Sequence, residues 1–177
     1  MTPIEQTQAW VNDIVIELNF CPFARREVVK NRVRYQALAL TTLTELYDVL
    51  HRELSHLDHQ PNTETTLIVF PEGCEDFQEF LFVIEEANLY LQREGYEGVY
   101  QLAHFHPEYQ FEGDALDAAS NYTNRAPFPT LHLIREASLQ AVLNDREDSD
   151  DIVERNIKKA EQLGSAFFAA KLAEYKR

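Results

Sequence analysis

The segment from residue 104 to residue 129, HFHPEYQFEGDALDAASNYTNRAPFP, concentrates polar and aromatic side chains without a helix or strand periodicity. His104 and His106 stand at its start, and an imidazole titrates near neutral pH. Either ring could therefore exchange a proton with a bound substrate, with Tyr109 or Asp117 orienting it. We interpret His104, His106 and Tyr109 as candidate catalytic residues.

Side chains suited to an anion occur in the same part of the chain. Asn amides and Arg guanidinium groups can each make several directed hydrogen bonds to carboxylate or phosphate oxygens. The candidate ligand-binding residues are Arg25, Asn121, Asn124, Arg125, His132 and Arg135. They predict a small anionic ligand, held by an enzyme or a binding protein. Turn capping by the Asn residues and pairing of Arg125 with a carboxylate would explain the same residue types.

Two other chemistries stay open. His104 and His106, two apart on a strand, could bind a metal ion with His132, Asp114 or Asp117. Because no second His or Cys pair at ligand spacing accompanies them, we assign no metal ligands and no cofactor.

Cys21 is a possible nucleophile, since nearby Arg25 and Arg26 would favour a thiolate. Its register with Trp10 and Ile14 favours simple packing instead, and the end of a helix disfavours a thiolate. Packing is therefore the preferred interpretation.

A hypothesis of another functional class is that the protein is a non-catalytic module for protein interaction or regulation. Aromatic side chains close to an Arg are typical anchors of protein interfaces. The aromatic residues concerned are Phe105, Tyr109, Phe111, Tyr122 and Phe128.

Composition limits the kinds of partner. The 177 residues favour one domain over 1–177. With 30 acidic and 16 basic residues, the net charge of −14 disfavours nucleic acid and anionic membranes. The start of the chain does not resemble a secretory signal, and two cysteines suit a reducing compartment. We expect a cytoplasmic protein.

Hydrophobic periodicity predicts the elements that must position these residues. Thr2 and Thr42 have the residue types and spacing of helix caps, and Gly164 should break the last helical region. Helices are predicted over 3–20, 43–59, 74–93, 130–143 and 151–176, and strands over 33–41, 66–71 and 98–106. A fourth strand could lie within 107–128.

The order αβαβαβ, followed by additional C-terminal helices, predicts an α/β sandwich with a small, mostly parallel sheet. Ligands of such sheets bind beyond the carboxyl ends of the strands. Since His104 and His106 end the third predicted strand, we expect the candidate residues to converge at that edge.

Several motifs together resemble the bacterial domain-of-unknown-function family 1415. They are NFCPFA, VRYQAL, TTLIVFP, HFHPEYQFEGD, NYTNRAPFPTLHLIRE and ERNI, which are spread over nearly the whole chain. The resemblance implies a compact, single-domain bacterial protein, and it brings no established activity.

Overall fold

A four-stranded sheet organises the computed structural model, which describes residues 1–144 and 150–176. The strands are β1 (Val33–Ala37), β2 (Thr65–Val69), β3 (Tyr100–Phe105) and β4 (Thr130–Arg135). Their order across the sheet is β1-β2-β4-β3, with β1 parallel to β2 and β4 antiparallel to both of its neighbours. The α/β content agrees with the prediction, but the expected mostly parallel sheet is a mixed one.

Strand β4 corrects the prediction of one helix over 130–143. The helix begins only at Glu136, directly after the strand. Leu131 and Leu133 are buried among the side chains of one sheet face, while His132 and Ile134 point to the other. The strand is only six residues long and runs directly into the helical sequence EASLQAVLN, so the apolar residues of the two elements together resemble one helical pattern. Residues 107–128, all of them described, contain a short 3-10 helix at Ala119–Thr123 and no strand.

Helices surround the sheet, and local capping explains where several of them begin. They are α1 (Pro3–Trp10), α2 (Ala24–Val29), α3 (Leu43–His59), α4 (Phe77–Arg93), α5 (Glu136–Asn144), α6 (Asp150–Leu163) and α7 (Ser165–Tyr175). Thr2 and Thr42 form capping boxes at α1 and α3, which confirms both predicted starts. Helix α4 begins later than predicted because the Asp76 carboxylate caps it. Gly164, at φ 79°, separates α6 from α7 as expected.

The first helix changes its winding partway along. After Trp10 the chain continues as a π-helix over Val11–Ile16, and the N–H groups of Phe20 and Cys21 then both donate to the carbonyl of Val15. The regular helix predicted over 3–20 is therefore shorter. Turns of this kind are often found next to functional sites.

Each face of the sheet carries its own apolar core. Helices α3 and α4 pack on one face, around Ile68 and Leu131. Helix α1, the π-helix and α7 pack on the other, around Trp10 and Phe168. No helix in the described part of the chain is long and apolar enough to cross a membrane. The sequence also predicts a solvated acidic face over 145–151, and most of these residues lie outside the described ones.

Candidate functional site

Arg125, the central residue of the predicted anion site, holds its own loop together. The residue is buried. Its Nε donates to the carbonyl of Tyr109 at 3.0 Å, and its Nη2 donates to that of Leu116 at 2.8 Å. The guanidinium carbon also lies 4.5 Å from the ring centroid of Tyr122. Because two nitrogens of the guanidinium group bond to carbonyls seven residues apart in the loop, Arg125 acts as a clamp across the loop.

The two Asn residues of the segment have similar local roles. Asn121 is buried; its Nδ2 donates to the carbonyl of Ala115 at 2.8 Å, and its Oδ1 accepts from the N–H of Phe111 at 2.9 Å. Asn124 accepts a hydrogen bond from Thr123 Oγ1 at 3.1 Å. The side chain of Asn121 therefore joins separate parts of its own loop, and that of Asn124 bonds to its neighbour Thr123.

His106 is fully buried with both ring nitrogens occupied. Nε2 donates to the carbonyl of Cys74 at 2.9 Å, and Nδ1 accepts from the N–H of Glu108 at 3.0 Å. Burial lowers the pKa of His106, which favours the neutral ring that this pairing requires. Neither nitrogen is left for a substrate proton or a metal ion.

His104 and Tyr109, both predicted as catalytic residues, are neighbours, with ring centroids 5.6 Å apart. Burial lowers the pKa of His104 as well. Phe80 lies on its other side, at 6.4 Å between centroids. The surroundings of His104 are therefore aromatic rather than ionic.

The remaining candidates lie elsewhere, so the predicted convergence of the whole set at one edge is wrong. Arg135 pairs with Tyr100 at the opposite end of the sheet, and its guanidinium donates to the carbonyls of Leu57 and Thr63. Arg25 is exposed and pairs with Glu17. His132 lies on the other face of the sheet from His104. The antiparallel direction of β4 is the physical reason, because it carries residues 132–135 away from the end of β3.

A cavity of about 440 Å³ lies on that second face of the sheet. Every strand contributes two side chains to it: Val33 and Tyr35, Thr65 and Leu67, Ala103 and Phe105, His132 and Ile134. Other side chains of the lining come from the π-helix, from the segment between Phe20 and Val28, and from α5 and α6. Most of these side chains are apolar, so the few polar atoms among them define the chemistry of the site.

His132 is the central polar group of this cavity. Its Nε2 lies 2.5 Å from Thr65 Oγ1, and Thr65 Oγ1 donates to the carbonyl of Leu133 at 2.6 Å. Since the Thr65 hydroxyl has one proton and gives it to a carbonyl, Nε2 of His132 must carry the hydrogen of the ring. Nδ1 is then a lone-pair acceptor, and it has no hydrogen-bond partner among the described residues.

The ionisation state of His132 agrees with this tautomer. Burial lowers the pKa of His132 to about 4, so the ring is neutral at pH 7. The Phe105 ring packs beside it, at 6.2 Å between centroids. The cavity therefore presents a fixed, neutral acceptor within apolar surroundings.

Residues 2–170 match the model of a family described as Protein of unknown function (DUF1415). The chain belongs to DUF1415. No curated protein and no solved structure matches it. The cavity of this DUF1415 protein is built from residues between Trp10 and Val153, all within the matched range.

Charged side chains line one part of the cavity in the DUF1415 chain. Arg26 Nε lies 2.9 Å from Glu27 Oε1, and Arg32 Nη1 lies 3.3 Å from Glu27 Oε2. Arg32 also pairs with Oε2 of Glu64. The other oxygen of Glu64, Oε1, is buried without a hydrogen-bond partner. The positive charges are thus matched by carboxylates. Two buried carboxylate oxygens make no hydrogen bond to the described residues: Glu27 Oε2, which still lies beside Arg32, and Glu64 Oε1.

Cys21 lines the same cavity. Burial raises the pKa of its thiol, although the N–H groups of Phe23 and Ala24 act in the opposite direction. Cys21 is therefore mainly protonated at pH 7, which does not favour a nucleophilic role. In the described residues of the DUF1415 chain, no three His, Cys, Asp or Glu side chains are grouped to hold a metal ion.

The clamp formed by Arg125 gives a direct prediction. We expect Arg125→Ala to lower the free energy of unfolding by about 2 kcal/mol, because it leaves two loop carbonyls without their charged donor. Urea unfolding followed by circular dichroism measures this change. Arg25→Ala is the matched control, since its exposed ion pair should contribute less than about 0.5 kcal/mol. Equal costs for the two variants would contradict the clamp.

Proposed function

We propose that this protein binds a small, mostly apolar molecule in the cavity between the sheet and its N-terminal helices. The observation that carries the proposal is the cavity itself, with His132 in its lining. Its volume of about 440 Å³ lies inside the range of roughly 300–1,000 Å³ that is typical of small-molecule sites. Such sites combine apolar walls with a few polar groups that orient the ligand, as this lining does.

Binding is better supported than proton-transfer catalysis. A base is most effective when its pKa lies near the working pH, and burial lowers the pKa of His132 to about 4. At pH 7 roughly one molecule in a thousand would carry the extra proton. The imidazole is therefore better suited to accept a hydrogen bond from a ligand than to move a proton.

The other functional hypotheses stay predictions with less support. Recognition of an anion by the 104–135 segment would need donors from Arg125 and Asn121, which are used within the loop. An interface built on the aromatic residues would need Phe105 and Tyr122, which pack against the core around Trp10.

A cavity-filling substitution tests the proposal. Ala103 lies in the floor of the cavity, so Ala103→Leu should reduce its volume without changing the strand. We expect a neutral naphthalene dye to bind the parent with one-to-one stoichiometry and to bind this variant at least about tenfold more weakly, a loss of about 1.4 kcal/mol. Fluorescence titration and isothermal calorimetry measure the two affinities.

Ala169→Leu is the matched control because the same side chain is added at an exposed position of α7 that does not line the cavity. Its affinity for the dye should stay within about twofold of the parent. Absence of dye binding to the parent, or equal affinity in all three proteins, would contradict the proposed function.

A further inference from the structure

We infer that the ligand of this cavity is an apolar amine, whose N–H groups donate to Nδ1 of His132 and to Oε1 of Glu64. The inference rests on the proposed function, because it names the chemical class of molecule that the same cavity binds. Two independent polar atoms carry it, and both are acceptors without a partner in the described part of the chain.

The first acceptor is fixed by the strands. Thr65 uses its only proton on the carbonyl of Leu133, so it can only accept from Nε2 of His132. The lone pair of Nδ1 is consequently available, and rotating the ring to offer an N–H would cost the hydrogen bond to Thr65. A ligand hydrogen-bond donor is therefore favoured at this position, whereas the oxygen of a carboxylate would meet a lone pair.

The second acceptor is a carboxylate. Glu64 is only 8% exposed, and Arg32 binds just one of its oxygens. A buried carboxylate oxygen without a donor is unfavourable, and a ligand N–H would satisfy it. A cationic donor gains more than a neutral one, because hydrogen bonds to charged groups are the stronger kind.

The remaining charges and rings of the lining are compatible with an amine. Arg26, which lines the cavity, pairs with Glu27, and Arg32 behind the lining pairs with Glu27 and Glu64, so no uncompensated cation in the described lining attracts an anion. Trp10 is an exception among the polar groups, because its buried Nε1 is a donor without a partner. This neutral indole N–H would bind an acceptor weakly, while the aromatic faces of the lining favour a nearby ammonium group.

Three probes with the same alkyl chain separate the ligand classes: octylamine, octanol and octanoate. Their affinities are measured by displacement of the naphthalene dye from the intact protein at about 0.15 M salt, where long-range charge effects are screened. We expect octylamine to bind at least about tenfold more tightly than octanoate, with octanol between them. In Glu64→Gln this preference should fall at least about fivefold, since the variant keeps the shape and loses the charge.

Glu97→Gln is the control, because it removes the same charge from an exposed residue outside the cavity. It should leave the preference for octylamine unchanged. Equal or tighter binding of octanoate, or failure of all three probes to displace a bound dye, would overturn the amine inference and leave the proposed function standing. An equal effect of the two Gln substitutions would overturn it too, because the preference would then come from the overall charge. Failure of the dye itself to bind would instead refute the proposed function.

Discussion

Gly73→Ala is expected to lower the free energy of unfolding by more than about 3 kcal/mol, the range of the most damaging single substitutions. A Cβ atom at this position would lie 1.8 Å from the carbonyl oxygen of Leu40. That oxygen belongs to the backbone and cannot rotate away, and the N–H of Leu40 donates to the carbonyl of Glu72 at 3.0 Å. The φ of Gly73, 98°, adds the strain that side chains meet in this region.

Equilibrium urea unfolding of the parent and Gly73→Ala, followed by circular dichroism, measures the effect. Gly113→Ala separates the cost of backbone strain from the cost of the steric clash with Leu40. Gly113 has a similar φ of 83°, and a Cβ atom there would meet nothing within 4 Å. The control should cost about 1 kcal/mol. Similar losses in both variants would show that the close approach to Leu40 does not determine the cost. The disturbance should also reach His106, whose Nε2 donates to the neighbouring carbonyl of Cys74.

Acidification from pH 7 to pH 4 is expected to remove about 3 kcal/mol of stability through His132 alone. The pKa of this imidazole is 6.5 in the unfolded chain and about 4 in the folded protein. Between these two values the unfolded chain binds the proton and the folded protein does not. The free energy of unfolding therefore falls as the pH drops below 6.5, and the contribution of His132 levels off below pH 4.

Urea unfolding at several pH values between 7 and 4, for the parent and for His132→Gln, isolates this contribution. Acidic residues and the other histidines are present in both proteins, so their effects cancel in the difference. The parent should lose about 3 kcal/mol more than the variant over this interval. Parallel pH profiles would show that His132 does not exclude its proton in the folded protein.

Local features of the fold were predictable from the sequence because their interactions join residues that are close in the chain. The capping boxes at Thr2 and Thr42 each involve a residue three positions away. Gly164 breaks the last helical region at the predicted position. The family was likewise predictable, since its motifs can be identified residue by residue, and the match over 2–170 confirms it.

The functional site was not predictable in the same way. Arg125 and Asn121 have residue types suited to an anion, but the path of the loop directs their donors to backbone carbonyls. The sequence predicts His132 as a ligand-binding residue, yet it also predicts a helix where the structure has β4. Nothing local distinguishes a histidine that faces a cavity on a central strand from one on the side of a helix.

The sequence by itself determined where α1 and α3 begin, where Gly164 breaks the last helical region, that the chain combines helices and strands, and which family it belongs to. Only the tertiary structure decided which polar atoms remain available to a ligand. The physical reason is that a side chain has the same donors and acceptors at any position in the sequence. Whether they are already hydrogen-bonded depends on which groups the fold places next to them. The Thr65 hydroxyl, 67 positions away along the chain from His132, decides which nitrogen of that ring carries no proton.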